Sequence, residues 1–543
     1  MRLRSCPLMF PHGNRKSTMS KNTAKPHSAN HFATVPNVSV PRSRFDLSHG
    51  YKTTFDGNYL IPVMVSHLLP GDSWRCTIKE LTRMTTPICP FMDNVRITFH
   101  AFAVPNRLVW DNWEDYITGC HKGKLGTTHT QRPQITLEPE DCLPGKLANY
   151  FGIRCSSGEI SVDALPFRAH NLVWNEWYRD ENLQSEAQVP TGDSGDMPNM
   201  YTVFRRGKRK DYFTSALPWV QKGPDVSLPI GGHAPLAGQL STVASDNVYN
   251  AFSNSGGQPV FHKGTSVSGA VLPQNTPITL DGSNAYADLS EATAATINSL
   301  REAFAIQHVF ERDARNGSRY VESLKAHWGV TCPDFRLQRP EYIGGGSVDF
   351  MVNSVAQTSA STSDTPQGNL AAVAKSAGAV GFQYSAVEHG VLLVYACVTS
   401  DITYQQGTNR LWFNRSRFDE FFPEFAHLGE QPIYEKELFT TGIPEQDESV
   451  FGYQERYAEY RYFPSLITGK MNSTSEHSLD YWHLAQVFET PPSLSADFIM
   501  ENTPFERVLA VQDEPQFYSD MWFDCKVIRP LPVYSVPSML DHF

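Results

Sequence analysis

Apolar and polar residues alternate most regularly just after residue 94. The apolar positions of this segment are Val95, Ile97, Phe99 and Ala101. A period of two over this length predicts a half-buried β-strand, which Pro105 and Asn106 would end. Between residues 108 and 116, Leu, Val, Trp and Tyr side chains fall at helical spacing. They predict a short aromatic helix that packs against the end of the sheet.

Other segments also have the pattern of strands. Residues 59–65 and 74–78 suit two extended segments that are separated by a Pro-Gly-Asp turn. Gly390–Thr399 contains the uninterrupted apolar run VLLVYACV, which suits a strand buried on both faces. This run has eight residues and is too short to span a bilayer, so no membrane insertion is expected.

Two segments have the pattern of helices. Residues 164–183 carry Leu, Trp and Tyr near helical spacing. The clearest helix begins at Ser290, a residue type favoured at N-caps, and ends near Asn316 and Gly317. Its apolar stripe runs through Ile297, Leu300, Phe304 and then His308 or Val309. Both helices would therefore have one apolar face.

The composition of the chain favours strands joined by long loops. Of 543 residues, 36 are Gly, 37 are Pro and 12% are aromatic, so a mainly β fold is expected. The length exceeds what one core usually supports, which predicts several domains or one domain with large insertions. Three irregular, polar or Gly- and Ser-rich stretches are expected to be loops: residues 119–157, 224–288 and 344–380.

The N-terminal 45 residues form a basic arm that has no Asp or Glu. Its eight cations are Arg2, Arg4, Arg15, Lys16, Lys21, Lys25, Arg42 and Arg44. The remainder of the chain holds the other 38 of the 46 Lys and Arg residues and all 57 acidic residues. Such an arm should not fold alone. It is either a contact for a polyanion such as nucleic acid or a solvated tail.

A second basic cluster lies in the middle of the chain. It consists of Arg205, Arg206, Lys208, Arg209 and Lys210. These side chains could contact phosphate, bind acidic residues of a neighbouring subunit, or remain solvated. Together with the arm they are the candidate nucleic-acid-binding residues.

Several blocks of the sequence are distinctive, among them PFMDNVRITFHAFAVPNRLVWDNWEDY, ALPFRAHNLVWNEWYRDENL and TINSLREAFAIQHVFERDARNGSRYVESLKAHWGV. These blocks closely resemble the capsid protein family of the microviruses, small single-stranded-DNA phages, and in particular its gokushovirus branch. They occur in the family's order from about Phe45 to Phe543 and are interrupted mainly by the three expected loops. Met19 resembles the start of many relatives, so residues 1–18 could be an upstream extension.

The resemblance implies an eight-stranded antiparallel jelly roll over residues 46–543, with long loop insertions and several short helices. It implies 60 copies in a T = 1 icosahedral shell, or virion capsid, around a circular single-stranded DNA genome, assembled in the cytoplasm of the bacterial host. Further expected partners are a small basic DNA-binding phage protein, a minor virion or pilot protein and a host surface receptor. Residues 224–288 would form the exterior protrusion, for host attachment or as a spacer.

No catalytic signature accompanies these blocks. The sequence has no nucleophile elbow, H-E-x-x-H, P-loop or dinucleotide-binding pattern, and its nine cysteines have no metal-ligand spacing. We therefore expect no enzyme, cofactor or metal site. The alternative is a cytosolic carbohydrate-binding or carbohydrate-active jelly-roll protein that uses the abundant aromatic residues. In the capsid reading, the expected core or assembly anchors are Phe99, Trp110, Trp113, Trp174, Trp177 and Trp482.

Overall fold

A computed structural model describes residues 41–118, 131–224, 297–315, 338–356 and 370–534, with a few short segments between them. Within these ranges the protein is mainly β. The strands before residue 106 are β1 (Ser43–Asp46), β2 (His49–Phe55), β3 (Ile61–Leu68), β4 (Ser73–Met84) and β5 (Val95–Pro105). The long strands after residue 340 are β16 (Glu341–Asp349), β17 (Met351–Ala356), β18 (Leu370–Ser385), β19 (Gly390–Ser400) and β22 (Phe517–Arg529).

Two long connections carry the shorter elements. In the first insertion, residues 106–340, the strands are β6 (Cys120–His121), β7 (Lys124–Leu125), β8 (Gln134–Leu137), β9 (Ile160–Asp163), β10 (Leu236–Ala237), β11 (Gln239–Thr242), β12 (Val248–Phe252), β13 (Val260–Lys263), β14 (Ile278–Leu280) and β15 (Tyr286–Ala287). Its α-helices are α1 (Trp113–Thr118), α2 (Leu147–Tyr150), α3 (Leu165–Trp177) and α4 (Ile297–Arg315). The second insertion, residues 401–516, contains β20 (Glu430–Tyr434), β21 (Val450–Glu455) and four-residue helices at Pro444–Asp447 and Ala496–Ile499.

Short 3-10 helices also occur in both insertions. They span Asn106–Leu108, Pro139–Cys142, Pro198–Met200, Arg410–Phe413, Pro423–Phe425, Glu435–Glu437, Ala458–Tyr460, Gly469–Met471, Asp480–Trp482 and Phe505–Val508. Because each is only three or four residues long, the second insertion consists largely of irregular chain with single turns.

The long strands form one ten-stranded antiparallel sheet that folds back on itself. Its order is β1-β22-β4-β18-β16-β5-β19-β3, with β2 paired to β22 and β17 paired to β18. Two half-sheets meet where Gly344 of β16 pairs with Phe382 of β18. Counting β2, β3, β4, β5, β16, β18, β19 and β22 as strands one to eight, the half-sheets read 1-8-3-6 and 5-4-7-2. This is the strand order of a jelly roll, so the expected fold class is confirmed.

The main core lies between the two half-sheets. Side chains of β4 alternate between buried and exposed positions along the whole strand, and β22 follows the same rule. From the first half-sheet the core receives residues such as Ile78 and Phe523, and from the second residues such as Phe99 and Val394. The alternation arises because only one face of each of these strands meets the other half-sheet.

A second core covers the outer face of the second half-sheet. All eleven residues of β19 are buried, since its other face is covered by α3 and the segment around Trp110. Leu393 and Tyr395 of β19 pack there against Leu165 and Val173 of α3. The predicted strand over Gly390–Thr399 is thus confirmed, and its uninterrupted apolar run reflects burial on both faces.

The two insertions meet in a further core. Tyr212, Phe213 and Ala216 of the first insertion cluster with residues of the second such as Ile433 and Phe451. Backbone bridges from Leu217 to Tyr453 and from Gly207 to Met500 join them as well. The two insertions therefore pack directly against each other.

The prediction of a loop over residues 344–380 is wrong for most of this stretch, because part of β16, all of β17 and part of β18 lie there. Its small residues are needed where strands approach closely. A Cβ on Gly345 would lie 2.1 Å from the carbonyl oxygen of Phe99, and one on Gly378 would lie 2.7 Å from a methyl carbon of Val348. Composition indicated a loop, whereas close approach of neighbouring strands explains Gly345, and packing of β18 against β16 explains Gly378.

Ordered elements also occur inside the stretch predicted as a loop over residues 119–157. Strand β8 and helix α2 lie within it, and Ile135 and Leu147 are buried in a small core within the first insertion. Most of residues 224–288 lies outside the described residues. There the backbone shows a four-stranded sheet of order β13-β12-β11-β14.

The predicted helices are present with shifted limits. The helix expected over 164–183 spans Leu165–Trp177, and the helix expected from Ser290 is described from Ile297 to Arg315. The aromatic helix expected over 108–116 becomes a 3-10 turn at Asn106–Leu108 followed by α1. In α4 the apolar stripe is not buried within the subunit, since Phe304 is 66% exposed.

Candidate nucleic-acid and assembly surfaces

The basic arm joins the jelly roll at the edge of the first half-sheet. Arg2, Arg4, Arg15, Lys16, Lys21 and Lys25 lie outside the described residues. The next cation, Arg42, donates to the Gly71 carbonyl and, at 2.9 Å, to Ser73 Oγ. Arg44 is exposed on β1, where it pairs with Ile528 of β22. The arm therefore meets the jelly roll beside β22, the last of its long strands.

The basic cluster at residues 205–210 is divided between inward and outward side chains. Its chain is extended, so consecutive residues point in different directions. Lys208 is buried, and its Nζ donates to Gln486 Oε1 at 2.8 Å. The same ammonium lies 4.2 Å from the ring centre of Phe498. Burial lowers the pKa of Lys208 to about 8, and its position in the core keeps it away from a phosphate backbone.

The two exposed cations of this cluster have carboxylate partners within the subunit. Arg209 Nη2 lies 2.6 Å from Asp401 Oδ1, and Lys210 Nζ lies 2.6 Å from Asp180 Oδ2. Asp401 also pairs with Arg96, which joins β5 to the start of the second insertion. These contacts favour a structural use of Arg209 and Lys210, in which they fasten the insertions to the sheet.

The remaining two cations, Arg205 and Arg206, lie near aromatic residues. The guanidinium of Arg205 lies 5.2 Å from the ring centre of Tyr59. Arg206 lines a cavity of about 640 Å³ between the first insertion and the second half-sheet, together with His100, Trp177, Tyr178 and Tyr342. Burial, and next the charge of Arg206, lowers the pKa of His100 to about 4. Phosphate contact by residues 205–210 remains a prediction.

The aromatic rings of this cavity are engaged with one another. His100 and Tyr178 stack with ring centres 5.9 Å apart, and His100 Nδ1 is 2.7 Å from the Tyr178 hydroxyl. Trp177 and Tyr342 lie 5.8 Å apart. A sugar platform needs an exposed ring face, whereas these rings face each other and the insertion.

Most of the expected aromatic anchors lie in the cores. Phe99 and Trp110 are fully buried, Trp113 and Trp174 are more than nine-tenths buried, and Trp177 and Trp482 are half-buried. Trp110 Nε1 donates to Asp193 Oδ1 at 2.6 Å, and Trp174 stacks on Phe204 with centres 4.4 Å apart. These two contacts join segments of the first insertion to one another.

An exposed group of aromatic rings lies in the second insertion, and sequence reasoning missed it. We define the aromatic patch as Phe418, Phe421, Phe422, Phe425 and Tyr460. Phe418 and Phe422 each lie 6.0 Å from Phe425, and Phe421 lies 6.1 Å from Tyr460. Arg456 stacks on Phe425 and on Tyr457, a neighbour of Phe421, and so joins the two groups. Phe418 is 62% exposed and Phe421 is 50% exposed.

Within the part of the chain that the structure describes, no three His, Cys, Asp or Glu side chains converge in a way that could hold a metal ion. Among the described helices, none has the length and apolar character needed to cross a bilayer.

An eight-stranded jelly roll that carries long insertions and an exposed aromatic surface has the architecture of a viral coat subunit. Comparison with known proteins agrees. Residues 33–539 match the family described as "Capsid protein (F protein)", and the chain belongs to that family. It is the major capsid protein of a microvirus of the gokushovirus type, and it is a structural protein and not an enzyme.

Three curated relatives, each called "Capsid protein VP1", are similar over nearly the whole chain. The protein of Bdellovibrio phage phiMH2K is 42% identical over 95% of this chain and 99% of its own length. That of Chlamydia phage 1 is 41% identical over 94% of this chain and 98% of its own. That of Spiroplasma virus 4 is 34% identical over 96% and 99%. The carbohydrate-protein alternative is therefore set aside.

Proposed function

We propose that 60 copies of this chain form a T = 1 icosahedral shell around a circular single-stranded DNA genome. In this proposal residues 1–45 tether DNA to the inner wall, and residues 224–288 form an exterior insertion for host attachment. A small basic DNA-binding protein and a minor virion protein complete the particle. Assembly takes place in the cytoplasm of the bacterial host, and a surface receptor of that host binds the finished virion.

The aromatic patch is the observation that carries the assembly part of the proposal. Exposed contiguous aromatic surface is unfavourable in water and is typical of protein interfaces. A second copy of this chain is the occupant that a capsid family implies. The patch lies in the second insertion, which packs on the first insertion through the core that contains Tyr212 and Ile433. The first insertion in turn packs on the second half-sheet, so the position of the patch relative to the jelly roll is fixed. A fixed, apolar surface suits a repeated contact between identical subunits.

The charge of the arm limits its role. Sixty arms with eight cations each carry roughly 480 positive charges. The gene for 543 residues alone needs more than about 1,600 nucleotides, each with one phosphate. The arms therefore tether the genome and do not neutralise it. Other cations, from the wall, the small basic protein or polyamines, must supply the difference.

Replacement of two patch residues tests assembly. The variant Phe418→Ser/Phe421→Ser removes apolar surface that would be buried between copies. In cells that express the complete set of capsid genes, we expect a folded, soluble subunit and at least a tenfold loss of shells in negative-stain micrographs. The matched control Phe418→Leu/Phe421→Leu keeps the apolar surface and should assemble. Thermal unfolding of the free subunit should be the same for both variants. Shells in normal number from the serine variant would contradict the proposal.

A further inference from the structure

The first half-sheet leaves its outer face exposed, in contrast to the second half-sheet. Strand positions whose side chains point away from the main core form this outer face, on β1, β2, β4, β18 and β22. Its Lys and Arg residues are Arg44, Lys52, Arg75, Lys79, Arg83, Lys375 and Lys526, and its acidic residues are Asp46, Asp520 and Asp524. The register of the strands places these ten residues on the same side of the sheet.

The charge of the outer face is opposite to that of the chain. Seven cations oppose three carboxylates there, whereas the whole chain has a formal charge of −11. Each carboxylate has a lysine partner: Asp520 lies 3.0 Å from Lys52, and Asp524 lies 3.3 Å from Lys526, which also contacts Asp46. Arg44, Arg75, Arg83 and Lys375 form no ion pair within the described residues. A surplus of free cations is thus concentrated on this face.

Two aromatic rings lie among these cations. Trp522 is 49% exposed and Tyr518 is 37% exposed. A Cβ on Gly50 would be 3.6 Å from the Trp522 ring, so the indole rests on the backbone of β2. Lys79 is directly opposite Trp522 on β4, and Arg83 is directly opposite Tyr518. Each ring therefore has a cation as its cross-strand neighbour.

Small residues beside the cations form a shallow trough. On β18 the outer positions opposite Leu81, Lys79 and Thr77 are Ala377, Ala379 and Gly381. Arg75, Lys79 and Arg83 follow the edge of this trough at intervals of four residues, which is roughly 13 Å along a strand. A row of cations beside a strip without large side chains can accommodate an extended backbone.

Two cavities open on the same face. One, of about 670 Å³, is lined by Arg44, Arg75 and Lys526 among others. The other, of about 610 Å³, is lined by Lys52, Arg83 and Tyr518 among others. They lie toward opposite ends of β4, with the row of Trp522 and Lys79 between them. The face therefore has a depression near each end of β4.

We infer that the outer face of the first half-sheet binds single-stranded nucleic acid, with cations on the phosphates and bases stacked on Trp522 and Tyr518. The inference rests on the proposed function and specifies where the wall contacts the genome. A positively charged groove with interspersed aromatic rings is how proteins bind single strands without sequence preference. The basic arm enters the wall on this sheet through β1, so the arm and the face act on the same polymer.

Binding of a fluorescein-labelled oligothymidylate by the full-length, unassembled protein tests the inference. Fluorescence anisotropy gives the affinity at several salt concentrations. For Arg75→Gln/Lys79→Gln/Arg83→Gln we expect at least a tenfold loss at low salt. The slope of log K against log salt should fall by about 2, since each lost phosphate contact on a single strand contributes about 0.7. Unchanged affinity and slope in this variant would overturn the inference.

Two further variants separate the roles of charge and stacking. Trp522→Ala should weaken binding roughly 5- to 100-fold with the salt slope unchanged, and Trp522→Phe should retain binding. The charge-matched control Arg154→Gln/Arg415→Gln/Lys470→Gln removes three exposed cations elsewhere and should bind as the wild type does. Thermal unfolding of each variant checks that it is folded. An equal loss of affinity in the control variant would show that only net charge matters. That result would contradict binding at the outer face.

Further measurements distinguish this inference from its alternatives. If a chain without residues 1–42 loses all binding while the triple variant of the full chain binds normally, the arm alone contacts DNA and the inference fails. The triple variant should still form shells, with less packaged DNA. If it binds oligothymidylate normally but forms no shells, the face is a contact between subunits, which also overturns the inference. Shell counts for the wild type test the proposed function separately.

Discussion

Arg168 and Asp196 form a bidentate ion pair that is completely buried. Arg168 Nε lies 2.8 Å from Asp196 Oδ2, and Nη2 lies 2.7 Å from Oδ1. The same guanidinium donates to the carbonyl oxygens of Val109, Gly192 and Ser194. One side chain on α3 thereby holds two separate segments of the first insertion against the second half-sheet.

Asp196→Asn should destabilise the subunit strongly. It removes the compensating charge of a buried guanidinium, and such losses cost about 3–5 kcal/mol. The free energy of unfolding of the unassembled subunit, measured in urea, should fall by that amount. As a control, Glu455→Gln breaks the exposed pair with Arg461 and should change stability by less than about 1 kcal/mol. Similar changes in the two variants would show that the buried pair has no special role.

His170 should make the subunit less stable in acid. Burial lowers the pKa of His170 to about 4, below its ordinary value of 6.5. Its neutral ring is held by the Thr202 carbonyl and the Tyr395 hydroxyl, each 3.0 Å away. Between pH 6.5 and 4 the unfolded chain binds the proton and the folded chain does not, so stability falls as the pH falls through this window.

The variant His170→Gln isolates this effect. It is expected to be less stable than the wild type at pH 7, because two buried partners lose their hydrogen bonds. The stability difference between the two proteins should then shrink by about 1–3 kcal/mol as the pH falls from 6.5 to 4, because only the wild type carries the histidine proton linkage. Unfolding of both proteins in urea at several pH values measures this difference in stability. Parallel stability curves over this window would contradict the assignment.

Gly345→Ala should disrupt the pairing of β16 with β5. The new methyl group would lie 2.1 Å from the Phe99 carbonyl oxygen. Because this is a steric clash with the backbone of a central strand, one of the two strands would have to move. We expect a loss of about 3 kcal/mol or more, or an insoluble subunit. Gly158→Ala is the control, since no atom lies within 4 Å of its added Cβ, and it should be neutral or slightly stabilising. Soluble protein yield and thermal unfolding distinguish the two.

The sequence predicted those elements whose pattern is local. The strand that begins at Val95 and helix α3 depend on side chains that repeat within one segment, so periodicity located them. Strand pairing is not local. Trp522 is opposite Lys79 across more than four hundred residues of sequence, and nothing near either residue indicates the other. The strands over residues 344–380 were missed because their glycines satisfy close packing between strands, which composition cannot distinguish from loop flexibility.

The candidate surfaces also differ in whether their residues are close together in the sequence or only in the fold. The arm is visible in the sequence because its eight cations fall within one segment of 45 residues that has no Asp or Glu. The outer face is not visible, because its seven cations are distributed over five strands and meet only in the folded sheet. At residues 205–210 the sequence suggested a single basic surface that the structure does not show. Five neighbouring cations suggested one patch, but the extended chain turns Lys208 into the core while Arg209 and Lys210 find carboxylates.

The position of β22 has a consequence for the quality of the assembled particle. This strand, Phe517–Arg529, lies in the middle of the first half-sheet, between β4 on one side and β1 and β2 on the other. The chain must therefore be translated through Arg529 before the first half-sheet can close. A chain that ends before β22 would leave β2 and β4 as unpaired edges, and such edges favour aggregation. The fold thereby acts as a length check, because only a chain that includes β22 can complete the sheet.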